Sequence, residues 1–258
     1  MAGPAFASLP EIMPEGPSII ILKELVRTFK GKKILEVTGN VKTIDKACMV
    51  NQKILDIRSW GKHFLLCFSG FTIRIHFMLF GSYTIVEKKE KAQVRLGLRT
   101  SGGTLYFYAC SVRLLEGSVD EHYDWSADVM SDEWDPGKAR KKLKQQPETL
   151  VCDALLDQDV FAGVGNIIKN EVLYRIRVHP NSLVGALPPR KLSEMIREAR
   201  NYSFDFLHWK KAYELKKHWL AHTKKICPRD GAPLIGVAKL GKRQRRAFYC
   251  EVCQVLYE

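Results

Sequence analysis

The sequence predicts an α+β multidomain protein: an N-terminal helix with a β-sandwich, then a helical domain, then a small cysteine-bearing β-hairpin. Three observations predict it. One stretch of helical spacing near the start gives way to seven short β-branched or aromatic runs. From Lys138 onward the apolar period is helical again. The last 32 residues carry a basic run that ends in Cys250-x-x-Cys253.

In chain order, Pro17 suits the first turn of a helix. Ile21, Leu22, Leu25, Val26 and Phe29 then recur at helical spacing, and Gly31 is its C-terminal stop. Strands are expected at 34–37, 53–57, 63–68, 72–75, 82–86, 93–98 and 104–108, separated by Gly, Asn, Ser and Lys at short intervals. The acidic, turn-rich stretch 121–137 reads as a linker. Helices follow over 138–146, from Pro147 through Leu155, from Asn166 to His179-Pro180, and from Pro188 through Tyr202. Residues 208–220 read as a further helix. The expected division is 1–13 as an extension or mis-assigned start, 14–120, 121–137, 138–220 and 221–258.

The 258 residues are 46% hydrophobic, enough for one large or two modest domains and a small module. No apolar run is long enough to span a membrane, and residues 1–12 lack the basic and apolar regions of a secretory signal. Seven cysteines, only the last three clustered, favour a reducing compartment with a local metal site over a disulfide framework. Charge is uneven. Residues 1–137 carry 17 Lys+Arg against 16 Asp+Glu, and residues 138–258 carry 24 against 12. Nearly all of the net +13 therefore lies in the second half, the pattern of a protein that holds a polyanion. A solubilising charged surface is the alternative.

Three stretches carry chemistry. In Met13-Pro14-Glu15-Gly16-Pro17, removal of an initiating Met13 leaves Pro14 as the amino terminus. Its secondary amine titrates near pH ~8, against ~10.4 for lysine, so it is free near neutrality and can attack a carbonyl-like carbon. Glu15 is the adjacent acid/base group. On these residues alone an ordinary helix entry is the stronger reading. Gly163-Val-Gly165-Asn166 is a glycine turn before a helix, whose N-terminal N–H groups can hold a phosphate; a plain helix–helix turn competes. Cys250 and Cys253 have zinc-ligand spacing, with Cys227 and Asp230 as the partner knuckle, an Asp standing where a second cysteine is usual. A metal-free hairpin is the alternative, as is a shifted register in which 229–233 leads into a knuckle that has lost both cysteines. Gly61-Lys62 opens the strand His63-Phe-Leu-Leu-Cys-Phe68.

Taken together, these residues resemble the formamidopyrimidine-DNA glycosylase/endonuclease VIII family. The resemblance rests on PEGP at 14–17, Gly61-Lys62, Phe161-Ala-Gly-Val-Gly-Asn166 with Glu171-Val-Leu173, and Arg245-Arg-Ala-Phe-Tyr-Cys250 with Cys253-Gln254. It spans residues 13–258. It implies a helix-two-turn-helix domain, a β-hairpin zinc finger with one structural zinc, and a monomer acting on double-stranded DNA that holds damaged bases or abasic sites. It also implies base removal followed by strand cleavage. Pro14 would attack C1′, Glu15 would move protons, and Lys62 would hold a phosphate and assist elimination. Asn166, Arg245 and Arg246 would bind DNA, with Arg245 also acting in δ-elimination. Base excision requires flipping the nucleotide out of the stack, and Met78-Leu79-Phe80 fits the wedge that fills the gap; core packing is the alternative.

The stretch Ala109-Cys-Ser-Val-Arg-Leu114 lacks the Asp-x-Arg-x-Phe-Gly pattern of the formamidopyrimidine branch. That favours the endonuclease VIII branch and oxidised pyrimidines. Asp128 lies near the position of that branch's interdomain arginine. His63, His76 and His179 read as structural, Cys48, Cys67, Cys110 and Cys152 as buried thiols, and Trp209 and Trp219 as packing residues. A protein that keeps residues 1–12 would be a non-catalytic damaged-DNA binder on the same scaffold. A zinc-ribbon nucleic-acid module with no repair role is the third reading. The expected location is the cytoplasm or nucleoid of a bacterium, or the nucleus of a eukaryote.

Overall fold

A computed structural model describes residues 14–258. The expectations about Met13 and the stretch before it lie outside the described residues. The chain divides into two compact units, one of Pro14 and residues 22–122, the other of residues 15–21 and 123–258.

The first helix, α1 (Gly16–Leu25), contributes to both units. A short 3-10 turn at Arg27–Phe29 follows, and Gly31 ends the segment at φ 79°, the left-handed stop its position predicts. The sequence reading groups residues 15–21 with the sandwich. They pack with the second unit instead, because Glu15 and Gly16 hydrogen-bond to its backbone.

The first unit is a sandwich of two four-stranded antiparallel sheets. One orders β1 (Ile34–Thr38), β6 (Val94–Thr100), β7 (Gly103–Tyr108) and β5 (Ser82–Ile85). The other orders β2 (Asp56–Trp60), β3 (His63–Cys67), β4 (Phe71–His76) and β8 (Ser111–Glu116). Phe64, Leu66, Ile73 and Ile75 of one sheet and Leu96, Leu98 and Phe107 of the other are fully buried. Phe64 and Phe107 meet with ring centroids 5.9 Å apart.

Two strand expectations change. The run at 53–57 is split: Lys53 bridges to Lys33, and pairing with β3 begins only at Asp56. The stretch 111–116, not foreseen as a strand, is β8, a sheet edge that buries Val112 and exposes Arg113.

The second unit is helical: α2 (Pro136–Lys144), α3 (Val151–Ala154), α4 (Asn166–Arg175) and α5 (Pro189–Lys211). Residues 123–135 are no free tether. Ala127, Asp128 and Val129 are buried, and Asp128 bridges to Ala162. α4 is buried on every face from Asn166 to Tyr174, the pattern of a central helix. α5 runs nine residues beyond Tyr202, to Lys211; the expected helix over 208–220 is thus its last turn and a separate 3-10 turn at Leu215–His218. A hairpin of β9 (Ile235–Leu240) and β10 (Arg245–Tyr249) completes the unit. No helix among the described residues is long and apolar enough to cross a membrane.

Cys110 and Cys152 are buried, and burial pushes both thiols up to about 11. Cys48 and Cys67 are only half-buried. Trp209 stacks flat on His218 at 4.1 Å, and Trp219 meets the His222 ring edge-on at 4.8 Å.

Candidate functional site

In the second unit the two glycine-bearing motifs meet. Gly16 donates its N–H to the Gly163 carbonyl at 2.9 Å. The Glu15 carboxylate accepts from the N–H groups of Gly165 (3.1 Å), Ile167 (2.7 Å) and Ile168 (3.2 Å). A Cβ at Gly165 would run into the Glu15 side chain, and one at Gly16 would meet the Gly163 backbone at 2.9 Å. The glycines are there for close approach. Three of the N–H groups at the head of α4 are therefore already held by a carboxylate, which the positive end of the helix favours, and are not open to a phosphate. Gln158 fixes the turn from behind, donating to the Leu156 and Val164 carbonyls and accepting from the Gly163 N–H.

Asn166 is buried, and its Oδ1 accepts from Lys169 Nζ at 2.9 Å. The same Nζ donates to the Arg246 carbonyl at 2.9 Å, joining α4 to β10. Burial pulls the Lys169 ammonium down to about 8. Arg245 opens β10 opposite Leu240, and Arg246 falls at a shift of register between Arg245 and Ala247. Thus Asn166, Lys169 and β10 gather at one place in this unit. Sequence reasoning missed Lys169. The available signal was its place directly after Ile167-Ile168 and three residues before Val172-Leu173, in a helix between apolar neighbours, which is weak because Asn170 and Glu171 follow it directly.

Two further buried carboxylates organise this unit. Glu171 accepts from the N–H groups of Leu220, Ala221 and His222 at 2.8 to 3.1 Å. Asp153 accepts from those of Lys242 (2.8 Å) and Arg243 (3.0 Å). Asp128 is also buried, and its Oδ1 accepts from the Met130 N–H at 2.9 Å.

At the base of the hairpin, Cys227, Asp230, Cys250 and Cys253 converge, one ligand atom of each within 4.8 Å of the others. Cys227 and Asp230 are thus the pair that meets Cys250 and Cys253. The Cys227 and Cys253 sulfurs are 3.8 Å apart, and Cys250 Sγ is 3.3 Å from Asp230 Oδ2. Tetrahedral zinc with bonds of about 2.3 Å places its sulfurs about 3.8 Å apart, so the donor set fits. The Asp230 carboxyl is held below its usual range, first by the Ala232 N–H. Burial holds the Cys250 thiol up.

In the first unit the register gathers a different set. Trp60 pairs with His63, His63 with His76, and His76 with Ser111. The Gly61-Lys62 turn, the 77–81 loop and residues 109–110 therefore leave one end of one sheet. Met78, at φ 55°, Leu79 and Phe80 are 56%, 44% and 78% exposed, which removes the core-packing reading. The Met78 sulfur lies 3.1 Å from His76 Nδ1. Burial lowers His63 to about 3 and also lowers His76, with Lys62 adding to both, so each ring is neutral at physiological pH. Pro14 is half-buried and belongs to this unit.

Known proteins share this organisation. Residues 13–113 match the formamidopyrimidine-DNA glycosylase N-terminal domain, and residues 126–202 the formamidopyrimidine-DNA glycosylase H2TH domain. Endonuclease 8-like 3 of Xenopus laevis is 28% identical over 210 residues, covering 77% of this chain and 34% of the relative. Endonuclease 8-like 2 of Mus musculus is 33% identical over 202 residues, covering 70% of this chain and 57% of the relative. The chain thus spans about a third of the length of the first of these relatives and just over half of the second. The Lactococcus lactis formamidopyrimidine-DNA glycosylase bound non-covalently to DNA containing an AP site superposes with a TM-score of 0.81 at 19% identity, over 93% of this chain and 99% of the other. A viral DNA glycosylase gives 0.80 at 22% identity, over 93% and 100%. Both domains are matched in the family's order over a common fold, and the chain belongs to the formamidopyrimidine-DNA glycosylase/endonuclease VIII family.

Proposed function

We propose that this chain is a base-excision repair DNA glycosylase with AP lyase activity, working from Pro14 as a free amino terminus. The observation that carries the reading is Glu15. It follows the candidate nucleophile directly, and three backbone N–H groups pin its carboxylate. A rigid acid/base group beside an amine suits imine chemistry.

In this mechanism the Pro14 nitrogen bonds to C1′ of the flipped nucleotide as the glycosidic bond breaks, and the base leaves with a proton. The sugar ring opens through proton transfers at Glu15, leaving an imine on Pro14. Loss of a C2′ proton expels the 3′ phosphate, and a second elimination expels the 5′ phosphate. Lys62, Asn166, Arg245 and Arg246 hold the backbone phosphates, contacts that position DNA without reading sequence. Met78, Leu79 and Phe80 fill the space the nucleotide leaves. Cys227, Asp230, Cys250 and Cys253 hold one zinc, which cross-links the hairpin base. Oxidised pyrimidines are the proposed substrates, double-stranded damaged DNA the partner, a monomer the working form, and the DNA-holding compartment its location.

The test is borohydride trapping on abasic-site DNA, using protein whose intact mass shows Pro14 at its terminus. A covalent adduct is expected, and Pro14→Gly should lose most of it. A panel of oxidised-pyrimidine, 8-oxoguanine and abasic duplexes then reads the substrate. Undiminished trapping by a Pro14→Gly protein with a blocked terminus would sink the assignment. Native protein that retains residues 1–12 and binds damaged duplex without trapping is the non-catalytic alternative.

A further inference from the structure

The tip of the β9–β10 hairpin holds Lys242, Arg243, Arg245 and Arg246 within five residues. Like charges this dense repel, and a two-stranded ribbon alone is marginal in water. Some tie has to hold the tip, and the structure shows which. Asp153 on α3 is buried, and both its oxygens are used, accepting from the Lys242 N–H at 2.8 Å and the Arg243 N–H at 3.0 Å. Gly241 turns at φ 67°, and any Cβ there would strike the Asp153 carboxylate. Four residues along, Asp157 lies 3.6 Å from the Arg243 guanidinium. From the other side Lys169 holds the Arg246 carbonyl. Arg245 is thereby bracketed between two backbone ties.

We infer that Asp153 is a positioning residue for Arg245: its buried carboxylate fixes the hairpin tip and so sets where that guanidinium meets a DNA phosphate. The inference rests on the proposed role of Arg245 in phosphate binding. A buried carboxylate without such work is costly. Here two backbone donors compensate it, both on the strand turn that leads into Arg245. The anchoring is separate from the four-ligand cluster at the other end of the hairpin, so the tip has its own fixing point.

The experiment measures affinity of the full chain for an undamaged duplex and for one with a tetrahydrofuran abasic analogue, as a function of salt. Wild type is compared with Asp153→Ala, Asp153→Asn, Arg245→Ala and the Asp153→Ala/Arg245→Ala pair. Hydrogen exchange at the Lys242 and Arg243 amides is followed in parallel. Asp153→Ala should expose those amides, weaken binding about tenfold and lower the salt slope by about one unit, as Arg245→Ala should. Asp153→Asn, which keeps one carbonyl oxygen, should recover part of the affinity. The double variant should bind no more weakly than Arg245→Ala, because both changes remove one contact. A general loss of stability would not reproduce that non-additivity or the change in slope. Wild-type affinity and slope in Asp153→Ala, with both lowered in Arg245→Ala, overturns the inference alone. Wild-type behaviour in Arg245→Ala overturns the phosphate role of Arg245 and the inference with it. Should Asp153→Ala unfold, Gly241→Ala, which pushes a methyl into the carboxylate, carries the same expectations.

Discussion

In the helical unit, Glu15, Asp153 and Glu171 are buried carboxylates whose partners are backbone N–H groups. At the end of the sandwich, Met78, Leu79 and Phe80 stand in solvent on a five-residue loop. The first arrangement fixes positions before any ligand arrives. Its dipoles and charges are already paired, so binding needs no reorganisation. The second withholds apolar surface, and burying such a side chain is worth about 1.5–3 kcal/mol. That gain is available only when something apolar, such as an opened base stack, closes over it. One region supplies geometry, the other a driving force for insertion.

The sharpest way to break the comparison is at Glu171. Replacing it by Gln turns an acceptor into an amide whose NH2 faces N–H donors in a fully buried place. A loss of about 2 kcal/mol is expected, read as a fall in Tm of about 5 °C. Thermal unfolding of Glu171→Gln beside wild type measures it. An unchanged Tm would mean that these carboxylates do not hold the unit in place.

Next in size is the hairpin base. Elemental analysis should find about one zinc per chain, and Cys250→Ser should release it and weaken DNA binding, since the hairpin carries Arg245 and Arg246. Absence of zinc from protein purified without chelator would leave the hairpin held by packing and by its hydrogen bonds alone.

Much of this was legible in the sequence, for reasons that differ by residue. Strand alternation and helical period are local, so the sandwich and the helices at 138–146, from Asn166 and from Pro188 could be read directly, whereas the expected helix from Pro147 through Leu155 shrinks to Val151–Ala154. Cys250-x-x-Cys253 is local too, and the structure closes it on Cys227 and Asp230. What the chain hides is pairing at a distance. Glu15 and Ile167 are 152 residues apart, and nothing at either end announces that the acid fills the helix terminus. The helix alone suggests those N–H groups as a phosphate cradle; a carboxylate from another part of the chain takes three of them. Asp153 was missed likewise, because a charge inside an apolar run shows that it must be paired without showing with what, and Lys169 because Asn170 and Glu171 beside it make its stretch read as polar. β8 was missed because Ser111–Glu116 buries only Val112 fully and lacks a clean alternation.

The smallest expected effect on stability, and the one that sharpens the comparison most, lies at the wedge. Phe80 is 78% exposed and Met78 is 56% exposed, so truncation removes little buried surface. Phe80→Ala and Met78→Ala should each stay within about 0.5 kcal/mol of wild type in denaturant unfolding. Affinity for undamaged duplex should also hold, since intact stacked DNA offers no gap for these side chains. Excision should fall, because a flipped nucleotide leaves a void that an apolar side chain must occupy while the base sits in its pocket. The measurement is a single-turnover excision rate on an oxidised-pyrimidine duplex, paired with affinity for the same duplex without the lesion. Loss of excision with intact stability and intact undamaged-DNA affinity separates the driving-force region from the geometric one. If both variants excise every lesion at the wild-type rate, the exposed loop is not the wedge, and the division of labour between the two regions fails.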